Sequence, residues 1–282
     1  MRMRLLSAVV LAIVLSAAVA ADAAPAIAPP QAIDIPQGSG TLRALLYKPD
    51  GDGPFPTVIA MHGCDGLTER PEAIQPRYRD WAEHLLKAGH AVLLPDSYGS
   101  RELGPQCRIN VKERHIHARR QRVADILAAR KWLLQQPWVS RNRIALVGWA
   151  NGGQAVLWAV RPQLPTRTEP DFRSAVAFYP DCRTSSVLGW SARVPTLVLI
   201  GANDDLSPAS ACRQMIEDAR GRSALARIVV YPGAYHDFDR PSLPVNDASA
   251  SADTGAPGRG HLGSDPAARA DSQKRVAEWL AR

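Results

Sequence analysis

The chain has 282 residues, 46% of them hydrophobic and 22% charged, with a formal net charge of +7. That composition excludes a disordered or fibrous chain and is ample for one sizeable α/β core. The basic excess is not organised for nucleic acid. Its densest stretch, Lys112 to Arg122, has no interleaved aromatic residue and reads as a solvated helix face, so no nucleic-acid partner is expected.

In chain order, Arg2 and Arg4 precede an apolar run over residues 5–15, and Ala18-Val19-Ala20 offers a cleavage signal. This reads as a secretory signal peptide, residues 1–20, cleaved near Ala20. The expected location is therefore secreted or periplasmic. A membrane anchor is the competing reading, but the run is short for a span of roughly 20 residues. No later segment is apolar enough to cross a bilayer, so no stable membrane insertion is expected after cleavage. The mature chain would carry 32 basic against 27 acidic residues, a charge of +5. Residues 21–40 are rich in Ala and Pro and read as an extended leader, followed by a single domain over 41–282.

Residues 41–47 alternate like an edge strand, and the apolar run 57–61 reads as a buried strand ending in His62-Gly63-Cys64-Asp65-Gly66. Trp81, Leu85 and Ala88 fall on one face of a helix over 78–88, which Gly89 stops. Strand 91–94 closes at Pro95. Val123, Ile126, Leu127, Leu133 and Leu134 line a long helix that ends before Pro137. Strand 143–147 runs into Gly148-Trp149-Ala150-Asn151-Gly152-Gly153. Strands follow at 175–179, 196–200 and 228–231, with a helix over 209–219. Asp265-Pro266 is an N-cap and first-turn pair for a terminal helix carrying Val276, Trp279 and Leu280. Residues 245–263 are rich in Ser, Ala, Asp and Gly and read as a mobile surface loop. Fully apolar strands alternating with amphipathic helices predict a mostly parallel central sheet with helices on both faces.

On such a sheet, ligands bind at the carboxyl ends of the strands. Four ends carry signals. The first is the HGCDG turn, which reads as a source of backbone donors from Cys64 or Asp65. The second is the glycine-framed turn after strand 143–147, the setting of a nucleophile elbow with Ala150 at its centre and Asn151 as the next donor. The third is Gly201-Ala202-Asn203-Asp204-Asp205, where Asp204 is the expected acid and Asp205 the alternative. The fourth is Tyr235-His236-Asp237, where His236 fits a base position because it follows elbow and acid in chain order. His115 and His117 are two residues apart, on different helix faces, and do not read as a metal site.

These stretches, together with RYRDWAEHL, LLPDSYGSR and FYPDCR, resemble the dienelactone hydrolase family of α/β-hydrolases over about residues 40–240. The resemblance implies an α/β-hydrolase fold and hydrolysis of small-molecule esters or lactones by a Cys or Ser nucleophile with Asp and His. It implies no metal or organic cofactor. Carried over by position, Asp204 is the acid, His236 the base, and Cys64 and Asn151 the oxyanion-hole donors. Ala150 stands at the nucleophile position and departs from the pattern. The fold so implied also suggests disulfides Cys64–Cys107 and Cys182–Cys212, because the first pair shares the active-site end and the second flanks the strand that carries Asp204. Tyr98, Trp149, Trp190, Arg101 and Arg183 are candidates for the pocket wall.

An alanine methyl cannot attack a carbonyl, and three readings follow. The protein hydrolyses by another route, through a reduced Cys64 or through water activated by His236. It is a silent pseudo-enzyme that binds an acyl or lactone ligand or a partner. Or the alanine is an inactivating replacement. The oligomeric state is not readable.

Overall fold

Strands that are apolar on both faces need cover on both faces, and the apolar runs of this chain build such a sheet. The computed structural model describes residues 28–70, 73–162, 169–248 and 260–282. The signal peptide expected over 1–20 and the centre of the loop expected over 245–263 lie outside the described residues. In chain order the strands are β1 (Gln31–Gln37), β2 (Gly40–Tyr47), β3 (Phe55–Met61), β4 (Thr68–Arg70), β5 (Ala73–Ile74) and β6 (Ala91–Pro95). They continue with β7 (Val139–Trp149), β8 (Ala175–Phe178), β9 (Thr196–Gly201), β10 (Ala226–Tyr231), β11 (Asn246–Ala248) and β12 (Gly260–Leu262). The helices are α1 (Pro76–Lys87), α2 (Gln121–Leu133), α3 (Asn151–Ala159), α4 (Arg183–Val187), α5 (Ala209–Asp218) and α6 (Pro266–Leu280).

One sheet of eight strands has the order β1-β2-β6-β3-β7-β8-β9-β10. The strands from β6 to β10 in that order run parallel, and β2 is antiparallel to both β1 and β6. β6, β8 and β9 are buried along their whole length, as strands covered on two faces must be. The chain steps from β3 outward to β6 and returns to β7 on the other side of β3. The order therefore reverses between β3 and β7, and the crevice above their carboxyl ends is the place where such a sheet binds ligands. With the right-handed crossovers that parallel strands adopt, this order puts α1 on one face and α2 and α3, which pack on each other, on the other. α1 is tied to α6 by Arg269 and Asp80 at 2.6 Å. α6 starts as its sequence signals, with the Asp265 carboxylate accepting the Ala268 N–H at 2.9 Å.

Three local readings change. From Gln31 on, the stretch read as a leader is an edge strand, paired residue for residue with β2. Its apolar positions are sparse because only Ile35 is fully covered. The basic stretch Lys112 to Arg122 is not a helix face. It holds a 3-10 turn at Val111–Glu113 and enters α2 only at Gln121, and Arg114 and Arg122 are buried. Finally, the ends of the loop expected over 245–263 are ordered. β11 pairs with β12, and the Gly263 N–H bonds to the His236 carbonyl at 2.9 Å.

Candidate active site

β7 delivers Ala150 directly to the start of α3. Ala150 has φ +46° and ψ −113°, a conformation that costs a non-glycine residue about 1–3 kcal/mol and persists only where the surroundings impose it. Here they do. A Cβ on Gly152 would lie 2.0 Å from the Met61 carbonyl oxygen, and one on Gly148 would lie 2.4 Å from the Gly152 oxygen. The glycines thus let α3 cross tightly over β3 and β7. The Ala150 N–H is fixed to the Phe178 oxygen at 3.0 Å. The strained elbow is complete, and its apex carries a methyl group.

His236 stands on the loop after β10, with its Nδ1 2.8 Å from Asp204 Oδ2. The other oxygen of Asp204 accepts the Leu206 and Ser207 N–H groups at 3.1 and 2.7 Å. The acid is therefore oriented by its own loop. With Nδ1 on the acid, Nε2 is the nitrogen left for chemistry. Burial pushes the His236 pKa down. The charge and hydrogen bond of Asp204, with Asp237 behind them, outweigh it and raise the pKa to about 9. Asp205 turns the other way, to His261 Nδ1 at 2.7 Å.

The turn after β3 is held from several sides. The Ser97 N–H donates to His62 Nε2 at 3.1 Å, so the proton of this imidazole sits on Nδ1, which donates to the Gly63 oxygen at 2.7 Å. Burial and the nearby Arg122 push His62 well below its usual pKa, which agrees with this neutral form. The Gly63 N–H donates to the Tyr78 hydroxyl at 2.7 Å. The Cys64 N–H has no acceptor among the described residues, and Asn151 heads α3. Both expected disulfides are present, Cys64–Cys107 and Cys182–Cys212. The route through a reduced Cys64 is thereby overturned, since a bridged sulfur has no thiolate to offer.

Of the expected wall residues, Trp149 and Trp190 belong to the core. Trp149 stacks on Phe178 with ring centroids 5.6 Å apart, and Trp190 donates to the Leu157 oxygen. Arg101 is drawn away to Asp125 at 2.7 Å and Arg183 to Asp181 at 2.8 Å. Tyr98 donates to Asn151 Oδ1 at 3.1 Å and lines a cavity of about 1120 Å³ together with Asp65, Leu67 and Glu102, a lining that excludes Ala150 and His236.

Sequence reasoning missed a buried ionic cluster beside His236. Arg77 pairs with Asp65 at 2.7 Å and with Asp237, and donates to the Tyr179 hydroxyl at 2.8 Å. Arg240 pairs with the same two acids at 2.5 and 3.0 Å. The two guanidinium groups hold the Asp237 carboxyl well below the usual carboxylate range. Asp239 accepts from Trp81, Trp149 and Tyr179 at 2.6, 2.8 and 2.5 Å, while burial raises its pKa. The run His236-Asp237-Phe238-Asp239-Arg240 was the available signal: charged residues packed around an aromatic one are hard to explain on a solvated loop. Among the described residues, no group of three His, Cys, Asp or Glu side chains is arranged to hold a metal, and no helix is long and apolar enough to cross a membrane.

The sequence profile of the dienelactone hydrolase family matches residues 42–282. A Yersinia pestis protein, provisionally named carboxymethylenebutenolidase, is 25% identical over 78% of this chain and 82% of its own. Among solved structures, a provisionally assigned dienelactone hydrolase of Klebsiella pneumoniae superposes with a TM-score of 0.67 at 22% identity, over 90% of this chain and 98% of that one. The dienelactone hydrolase-like promiscuous phosphotriesterase P91, from metagenomic libraries, gives 0.68 at 20% identity, over 89% and 97%. The fold is that of an α/β-hydrolase.

Proposed function

Because the chain belongs to the dienelactone hydrolase family, whose members act on esters and lactones, we propose that it is an exported protein whose pocket takes a small ester or lactone, with Asp204 and His236 as the acid and base positions and Cys64 and Asn151 as the oxyanion donors. Two disulfides fit an oxidising compartment. The observation that carries the reading is the His236–Asp204 pair at 2.8 Å on the same sheet edge as an elbow that keeps its strain but holds Ala150. With no side-chain nucleophile, hydrolysis runs through water. His236 accepts a proton from that water only when it is neutral, so turnover rises as pH approaches about 9.

A second reading, binding without turnover, is favoured by the same group. An imidazole with a pKa of about 9 is cationic at neutral pH and is a poor base there. The experiment is turnover of a short activated ester by the mature protein beside Ala150→Ser. Removal of a serine nucleophile costs hydrolases about 10⁶-fold, of which about 10³–10⁴ over water survives in binding and oxyanion contacts. Restoring it is expected to raise kcat by about 10³-fold or more. No turnover by either the natural chain or a folded Ala150→Ser protein removes the hydrolase reading. Saturable ester binding by the natural chain with no product supports the second reading.

A further inference from the structure

Arg122 is fully buried, with 0% of its surface exposed, yet its guanidinium has no carboxylate partner among the described residues. Asp125, on the same helix, is taken by Arg101, and Asp96 accepts the Gly99 N–H at 2.8 Å. The Arg122 donors go to neutral acceptors on three different segments. Nη2 bonds the His62 carbonyl at 2.6 Å, Nη1 bonds Asn151 Oδ1 at 2.9 Å, and Nε points to the Ser97 hydroxyl at 3.4 Å. The Tyr98 ring lies against the guanidinium, 5.2 Å from centroid to Cζ. A buried cation without a counter-charge is costly, and a structure retains it where negative charge comes to meet it. Two of its three acceptors are informative. His62 opens the turn that carries the Cys64 N–H, and Asn151 heads the helix after the elbow.

Resting on the pocket reading above, we propose that Arg122 is the counter-charge for an anionic oxygen of the ligand at the Cys64 and Asn151 N–H groups, so that the site holds the carboxylate of a short acid in preference to its neutral isostere. Arg122 does not touch that ligand. It is a positioning residue that fixes both halves of the donor pair and adds a field that low-dielectric surroundings strengthen. The Ala150 methyl places no polar side-chain atom at the apex to compete for those donors. His236, cationic at neutral pH, adds a second positive group on the same sheet edge.

The test is calorimetric titration of the mature, disulfide-bonded protein with butyrate and with butyramide at neutral pH. Butyrate is expected to bind at least about tenfold tighter, the scale of one charge-assisted contact. In Arg122→Met that preference is expected to fall below about threefold, and Arg122→Lys, which keeps the charge, restores part of it. A purely structural arginine would weaken acid and amide alike. Equal binding of the two ligands by the natural chain, binding of neither, or an unchanged preference in folded Arg122→Met overturns the proposal. The comparison within the natural chain needs no variant, so equal binding there overturns the proposal even if Arg122→Met does not fold, and a preference that is lost in His236→Gln with Arg122 in place overturns it as well. In the Ala150→Ser background, Arg122→Met is expected to lower kcat about tenfold or more with KM little changed. An inactive Ala150→Ser protein beside an inactive natural chain removes the hydrolase reading but leaves the acid-against-amide comparison standing. An active Ala150→Ser protein with no acid preference removes this proposal alone.

Discussion

The two sides of the elbow solve the same problem in opposite ways. On the His236 side, Arg77 and Arg240 face Asp65 and Asp237, and each of these two carboxylates has two guanidinium partners. On the oxyanion side, Arg122 is buried just as deeply and has only neutral acceptors. The first is closed in charge and has nothing left to offer a ligand. The second is open in charge. A buried ion pair is weak evidence for stability, and a buried unpaired ion is positive evidence for something else. On the proposal that Arg122 backs a ligand's anionic oxygen, the difference separates scaffolding from the part of the site that meets a ligand.

The largest effect on that comparison is expected from Arg77→Met. It removes the hub of the closed side and leaves Asp65 and Asp237 dependent on Arg240 alone. Breaking a buried pair by removing one partner costs about 3–5 kcal/mol, and denaturant unfolding is expected to register a loss of that size. Arg122→Met instead takes one donor from each of three neutral acceptors, of which Asn151 Oδ1 keeps the Tyr98 hydroxyl, and is expected to cost about 1–3 kcal/mol. If Arg122→Met proves the more damaging of the two in unfolding experiments, the distinction between a closed and an open side is wrong.

Much of this contrast could be read from the chain, and some could not. The elbow was legible because glycines bracket a strand end, and the structure shows why each is needed: neighbouring backbone occupies the place of its Cβ. Asp204 and His236 were legible as polar residues just past apolar strands, and the structure places the two side by side while sending Asp205 to His261. Arg122 was illegible. It closes a run of basic residues, and a run of charge looks solvated. Whether its last member enters the protein depends on a turn at 111–113 and on the start of α2 at Gln121, both set by tertiary packing. The same limit applies to β1, whose pairing with β2 supplies order that its own composition does not.

A smaller effect is expected from pH, through the group that faces both sides. The His236 pKa is raised in the folded protein to about 9 from an ordinary value near 6.5. The stability this contributes is fully present below about pH 6.5 and is lost as pH rises through about 9, a few kcal/mol at most. Melting temperature is therefore expected to fall across that window. His236→Gln removes this part of the slope, while Asp205→Asn, which touches only the exposed His261 pair, leaves it in place. A slope that survives His236→Gln would show that the pair with Asp204 does not hold the imidazole cationic.

The smallest effect sits at the junction of the two sides. Ala150 occupies φ +46°, where a Cβ is disfavoured and glycine is not. Ala150→Gly relieves that strain but frees the unfolded chain, so the two terms oppose each other. Strain of about 1–3 kcal/mol exceeds the roughly 0.4–1 kcal/mol expected for the entropy term. A net gain of about 1 kcal/mol in urea unfolding is therefore expected. Both the closed and the open side should be untouched, so the butyrate preference should persist. Destabilisation by Ala150→Gly would instead mean that the methyl is packed to advantage, and that the elbow has become ordinary core.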